Sequence, residues 1–398
     1  MISFNNSSLL NFFFIIQIIF LPFSPAISNI LFVIFILLFI FNLIKNNFKF
    51  KVDIPVLIFL LMCIFTLINF CLQGSYTANK NYWKLIPILL FGFPIISQLQ
   101  VISLKKFQKA SVYSCLIYII YCLFKTIIFY FRNKYVPFGN DAEIYDLLSI
   151  HRPYLGFYLL MNIYFCFDLN LQENSKKYYI INFIFISFLI LILARLSIIT
   201  LIISIFIYLF IYSKYSVKIK SIIFLVLSSI ILSFMLINPN TKERFNYESF
   251  EKFQDHEPRF VIWKSVSNIL NNDDYNPLIG YGNSELVEDY LVINYENEID
   301  KEDKMNYYVN ERFNTHSQYL DYLLMGGIPL LLLFLSFIIS LFIYFRKDYL
   351  SVIMLISIIS FFGVENLFTR QLGCYLFIFY VGFSYLRIKI LNNNSNFN

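Results

Sequence analysis

Residues 314–345 read NTHSQYLDYLLMGGIPLLLLFLSFIISLFIYF. The first half is polar and holds His316, Gln318 and Asp321; from Ile328 to Phe345 there is no charged residue. A helix rises about 1.5 Å per residue, so a run of this length and apolarity crosses a hydrocarbon core of ~30 Å. The stretch is therefore the junction of a polar region with a membrane span, with Gly326-Gly327 breaking the chain and Pro329 opening the span. Reading upstream, 238–327 is polar and charged, and it holds more than half of the acidic residues and two of the three histidines.

Composition extends the same reading to the whole chain. It is 59% hydrophobic and 14% charged, with Phe 48 and Tyr 30, whereas soluble domains are roughly 45–50% apolar and about 25% charged. Spans are expected near 8–24, 28–44, 54–72, 84–99, 111–131, 154–171, 178–194, 196–213, 219–237, 328–345, 349–364 and 371–390. This predicts an all-α polytopic membrane protein of about twelve transmembrane helices. Residues 1–237 carry the first nine spans, 238–327 form one large loop with short amphipathic helices, 328–390 carry the last three, and 391–398 are a polar tail. The first segment lacks a basic n-region and a small-residue cleavage site, and reads as a retained span.

Lysine and arginine placement orients the bundle. With the N-terminus cytoplasmic, the inner loops hold Lys45, Lys49 and Lys51, Lys105, Lys106 and Lys109, Lys176 and Lys177, Lys214, Lys218 and Lys220, Arg346 and Lys347, and Arg387 and Lys389. That agrees with the positive-inside rule and turns the 238–327 loop outward. A net charge of +6 scattered over short loops gives no nucleic-acid footprint. The six cysteines lie in or beside apolar spans without a CxxC pair, so they point to neither a disulfide framework nor a zinc site. No phosphate-binding glycine loop occurs, which suits an outer face without ATP.

Within the loop, Pro258 opens RFVIWKSVSNIL, whose Phe260, Trp263, Val266 and Ile269 or Leu270 recur at helical spacing. NPLIGYGNSE follows as a turn with Gly280 and Gly282, then SELVEDYLVI as a second helix and an acidic linker at 296–304. Asn314 or Thr315 can cap a helix with His316 in its first turn, where the positive helix end lowers an imidazole's pKa and suits a general base. A hydrogen-bonding surface histidine has the same local signature. Arg259 in a helix's first turn opposes the dipole and hints at an anionic ligand, or else pairs with the acids at 251–257. Arg195 interrupts the apolar FLILILARLSIITLIISI and either faces a cavity or snorkels to the interface. Glu365, with Arg370 as a candidate partner, and His151 and Arg152 share the same outer level. Asp273 and Asp274 could hold a divalent ion, but equally form a solvated turn.

Four segments together resemble the O-antigen ligase and O-antigen polymerase superfamily. They are HSQYLDYLLMGGIP after the large loop, RFVIWKSVSNILNNDDYNPLIGYGNSE, ARLSIITLIISI and ENLFTRQLGCYLFIFYVGF. Ser317 and Ala194 depart from the family's usual Asn and Ser. The resemblance implies a membrane glycosyltransferase without metal or other cofactor, acting on undecaprenyl-diphosphate-linked glycan in surface polysaccharide synthesis. His316 would take the acceptor proton, and Arg195 and Arg259 would hold the diphosphate. His151, Arg152, Tyr319, Glu365, Arg370, Gly280 and Gly282 would support them. Implied partners are the lipid-linked donor, a glycan or lipid A-core acceptor, membrane lipid and a chain-length regulator protein. A polymerase is favoured over a ligase because the loop is compact. A flippase of lipid-linked oligosaccharide is the alternative of another class, and it should show midplane charge, for which Lys125 is the main candidate.

Overall fold

The computed structural model describes residues 6–46, 50–73, 77–99, 103–136, 144, 147–237 and 258–395. Among them the regular elements are helical, with no strand. In chain order they are α1 (Asn6–Phe20), α2 (Pro25–Asn46), α3 (Ile54–Gln73), α4 (Lys80–Ser97), α5 (Leu104–Asn133), α6 (Arg152–Glu173), α7 (Lys177–Leu191), α8 (Arg195–Ile207) and α9 (Val217–Ile237). Then come α10 (Pro258–Leu270), α11 (Ser284–Glu298), α12 (Glu302–Glu311), α13 (Gln318–Phe345), α14 (Tyr349–Val364) and α15 (Gln371–Ser395). Six of these helices are long and apolar enough to cross a membrane: α2, α3, α5, α8 with its π-helical extension to Tyr212, α13 and α15. Shorter apolar helices occur at Leu9–Phe20, Lys177–Leu191 and Tyr349–Val364.

Sequence chemistry explains which helices lie inside. α6, α14 and α15 are buried around most of their circumference, as expected for largely apolar helices surrounded by others. α2, α5 and α7 instead turn large apolar side chains outward, among them Leu37, Ile44, Phe124, Phe131 and Phe183. An apolar rim around an apolar core belongs in lipid, because water would penalise every exposed CH₂. Several polar groups inside pair with one another: Ser111 Oγ donates to Asn162 Oδ1 at 2.8 Å, and Tyr164 shares hydrogens with Ser204 and Ser357.

The loop helices form a second core on one end of the bundle. Ile262, Val266 and Ile269 of α10 and Val287, Leu291 and Tyr295 of α11 pack with Phe70 of α3, Tyr82 and Ile86 of α4, and Leu324 and Met325 of α13. The buried face of α10 keeps Val266 and Ile269 of the expected stripe and adds Ile262 and Ser265; Trp263 packs partly buried against the same core, and Phe260 is exposed. The expected acidic linker is partly helical, since Glu302 and Asp303 favour the first turn of α12. The acidic stretch 241–257 and the acids Asp141, Glu143 and Asp146 lie outside the described residues.

The Gly-Gly-Pro junction is where loop and bundle lock. Pro329 has no N–H, so Met325 O loses its helical donor, and Gly327 (φ 66°) turns the chain out of the helix. The freed groups bond the NPLIGYG turn: Tyr281 N–H donates to Leu324 O (2.8 Å), Gly282 N–H to Met325 O (3.0 Å), and Ile328 N–H to Pro277 O (2.7 Å). Asn69 Nδ2 adds donations to Met325 O (2.7 Å) and Ile279 O (2.9 Å). Broken helical backbone near lipid persists only where protein satisfies it in this way. Gly280 (φ 61°) is required here twice over, by its left-handed backbone and because a Cβ would meet Leu324 O at 2.5 Å.

Candidate functional site

The second core brings the end of the loop against the α14–α15 connection. His316 precedes α13 and is not in its first turn; the helix starts at Gln318 with Ser317 as N-cap. The reason is local. Asn314 Oδ1 accepts the His316 N–H at 3.1 Å, a turn that holds His316 at φ 45° instead of helical geometry. A left-handed non-glycine residue costs on the order of 1–3 kcal/mol and persists where its surroundings over-determine it.

Those surroundings are a buried polar network. Trp263 Nε1 of α10 donates to Thr315 O at 3.2 Å, and Thr315 Oγ1 donates to Ser317 O at 3.1 Å. Asn366 Nδ2 donates to Thr315 Oγ1 at 2.9 Å and to Asp321 Oδ1 at 3.4 Å. Asp321 accepts from Tyr82 OH at 2.7 and 2.8 Å and from Gln318 Nε2 at 3.3 Å. Gln318 Oε1 accepts the Phe368 N–H at 2.9 Å. Each bond is worth about 1 kcal/mol net, but an unsatisfied buried group costs about 1–3 kcal/mol. The network therefore holds the segment either side of His316 in one conformation.

The charged groups converge above it. His316 Nδ1 lies 3.9 Å from Glu365 Oε2, and Arg259 Nη2 lies 3.5 Å from Glu365 Oε1. Arg259 Nε also donates to Val364 O at 3.4 Å. Glu365 is buried (4% exposed) and caps α14, whereas the His316 side chain keeps 19% of its surface open. Burial, then the fields of Arg259, Arg370 and His151, pushes the His316 pKa down to about 3, so the imidazole is neutral at pH 7. Burial pushes the Glu365 carboxyl up to about 7, and Arg259 and Arg370 offset part of that rise.

The remaining sequence-predicted residues fall around this centre. Arg259 is the closer cation to Glu365; Arg370 acts on it from farther away and lies 5.9 Å over the Tyr154 ring. His151 is the N-cap of α6 and Arg152 opens that helix. Tyr154 OH, one turn on, donates to Asn366 O at 3.1 Å. Arg195 is exposed at the first turn of α8, beyond Leu193 (φ 51°). Its neighbour Ala194 packs so tightly on Gly156 that a Cβ there would lie 2.5 Å away, which puts Arg195 at the α6 end that carries His151. Tyr319 OH donates to Ile359 O at 3.3 Å and its ring packs on Phe334, away from the charged cluster. Gly280 and Gly282 serve the α13 break described above. Asp273 and Asp274 lie on an exposed turn, with Asp274 accepting from Tyr290 OH at 3.0 Å.

Three groups of the network have no role in the sequence reading, Asp321, Asn366 and Tyr82, and Thr315, expected as a helix cap, joins them instead. Asp321 carried a usable signal, an acid in the first turn of a helix otherwise apolar enough to enter lipid. Tyr82 carried none, because nothing local tells a buried phenol with a carboxylate partner from ordinary core.

Comparison with known proteins gives one family match. A family model described as O-antigen ligase matches residues 180–335, less than half of the chain. That stretch includes Arg195, Arg259 and His316 and ends before Glu365. No curated protein matches the chain. Over those residues the chain is similar to the O-antigen ligase family, which supports the superfamily resemblance read from the sequence.

Proposed function

We propose that the protein is a glycosyltransferase of the bacterial inner membrane, with both termini cytoplasmic and the loop facing outward. It transfers glycan from an undecaprenyl-diphosphate-linked donor to an acceptor hydroxyl in surface polysaccharide synthesis. The observation that carries this reading is one buried carboxylate, Glu365, set between a neutral imidazole and a guanidinium.

In the reaction, His316 takes the proton of the acceptor hydroxyl as its oxygen attacks the anomeric carbon. The bond from that carbon to the diphosphate oxygen breaks, and the diphosphate leaves with the electron pair. Arg259 and Arg195 meet the charge that develops on it, as fixed cations in a partly dry site do at low reorganisation cost, so no metal is required. Direct displacement inverts the anomeric configuration. A bound diphosphate also offsets the fields of Arg259 and Arg370 that depress His316. Substrate therefore raises the basicity of the imidazole at the moment it is needed, and ionised Glu365 stabilises the imidazolium that forms.

A compact loop favours another lipid-linked glycan over lipid A-core as the acceptor, making the enzyme a polymerase. The test is transfer between defined lipid-linked repeat units by the purified chain. Glycan ladders from the wild type and none from His316→Ala support the mechanism; unchanged ladders from the variant sink it.

A further inference from the structure

The far end of α13 lies roughly 40 Å from His316, by the rise of its 28 residues. There the bundle has a hollow of about 570 Å³ between the start of α3 and the ends of α13 and α15, within the size range of small-molecule sites. Its walls are apolar: Ile54, Pro55, Ile343, Ile388 and Leu391. Ser340, Tyr344 and Asn392 line it as uncharged polar side chains, and so do the cations Arg346 and Lys347. Both are exposed, and among the described residues neither side chain forms an ion pair.

Asp348 also lines the hollow, and an unpaired carboxylate would repel an anion. Its oxygens are turned inward and occupied: Arg387 Nε, on a guanidinium shared with Asp168, donates to both (3.1 and 3.0 Å), and Ser351 donates to Oδ2 through both N–H and hydroxyl. Asp348 is buried, and Asp53, next to Ile54, accepts from the Tyr385 hydroxyl, so the exposed charged residues lining the hollow are Arg346 and Lys347. A largely apolar hollow lined by two exposed cations matches a molecule with an acyl tail and an anionic head.

We propose that this hollow is a binding site for an anionic phospholipid, with one acyl chain along Ile343 and Ile388 and the phosphate between Arg346 and Lys347. Two interfacial cations favour an anionic lipid over a zwitterionic one and give the site its selectivity. It lies at the opposite end of the bundle from His316 and stands independently of the proposed transfer reaction.

The full chain, purified in neutral detergent, would be titrated with dioleoylphosphatidylglycerol and followed by native mass spectrometry and melting midpoint. Retained lipid and a raised midpoint are expected, with binding about tenfold weaker in an Arg346→Gln/Lys347→Gln variant. Ile343→Trp, which fills the hollow but leaves both cations, should also lose the lipid, whereas Ile339→Trp on the same helix outside the hollow should not. Equal binding of dioleoylphosphatidylcholine, the same shift with inorganic phosphate alone, or undiminished binding by either the double variant or Ile343→Trp would overturn the proposal.

Discussion

Two buried charge clusters sit at opposite ends of this bundle, and they are built differently. At the α15 C-terminal end, Arg387 Nη1 and Nη2 donate to Asp168 at 2.9 and 3.1 Å while its Nε donates to Asp348. Asp168 accepts further hydrogens from Gln108 (2.7 Å), Gln172 (2.6 Å) and Tyr349 (2.5 Å). A forked guanidinium between two carboxylates, with further donors on both, ties α5, α6, α14 and α15 together. At the other end, Glu365 meets its partners only at 3.5 and 3.9 Å, beside an imidazole held in left-handed backbone. Catalytic contacts are often long without substrate and tighten with it. Satisfaction distinguishes a brace from a site.

That contrast can be broken experimentally. The largest effect is expected from Arg387→Met. Removing one member of a buried ion cluster strands the others at a cost of roughly 3–5 kcal/mol. Folded yield and melting midpoint should fall, while transfer per folded molecule persists; normal stability with lost transfer would make the inner cluster functional. His316→Ala should do the reverse, lowering transfer about 10³-fold, the scale of general-base catalysis, with little change in melting midpoint. A comparable loss of stability would reduce His316 to a structural residue.

Arg259→Gln should lower transfer about 10²-fold, a typical loss for one electrostatic contact, with Arg259→Lys recovering only part because it loses the fork. The smallest effect belongs to Glu365. Its carboxyl is raised, so its contribution to stability is complete below about pH 4.5 and is lost as pH rises through about 7. His316 is depressed, so its contribution is present above 6.5 and lost as pH falls toward about 3. Glu365→Gln should therefore flatten the fall in melting midpoint between pH 5 and 7, and remove the rise in transfer rate through pH 7 that its ionisation produces. A wild-type pH profile in that variant would separate Glu365 from the reaction.

Much of this was legible in order along the chain. Apolar runs marked helices, Pro258 and Gly326-Gly327-Pro329 marked their boundaries, and isolated charges such as Arg195 and Arg259 stood out against apolar surroundings because their burial is costly. The position of His316 was misread by one turn. Asn314 and Thr315 are good caps by type, but here the Asn314 side chain accepts the very next N–H but one, and competes with the helix it might have started. On α10 Val266 and Ile269 face the core as periodicity expects, but Ile262 is buried and Phe260 exposed because the packing against α3, α4 and α13 chose the exact side.

The sequence by itself determined the class of molecule, since hydrophobicity and backbone satisfaction leave a chain of this composition only helices in lipid. It also determined which residues were out of place there. Only the tertiary structure decided what those residues face. Arg259, His316 and Glu365 are far apart in the chain and meet because α10 docks on the α13 break and Asn366 ties the 365–366 corner to Thr315. Pairing energies fall steeply with distance and depend on burial, and both are set by packing between segments, which no local pattern records.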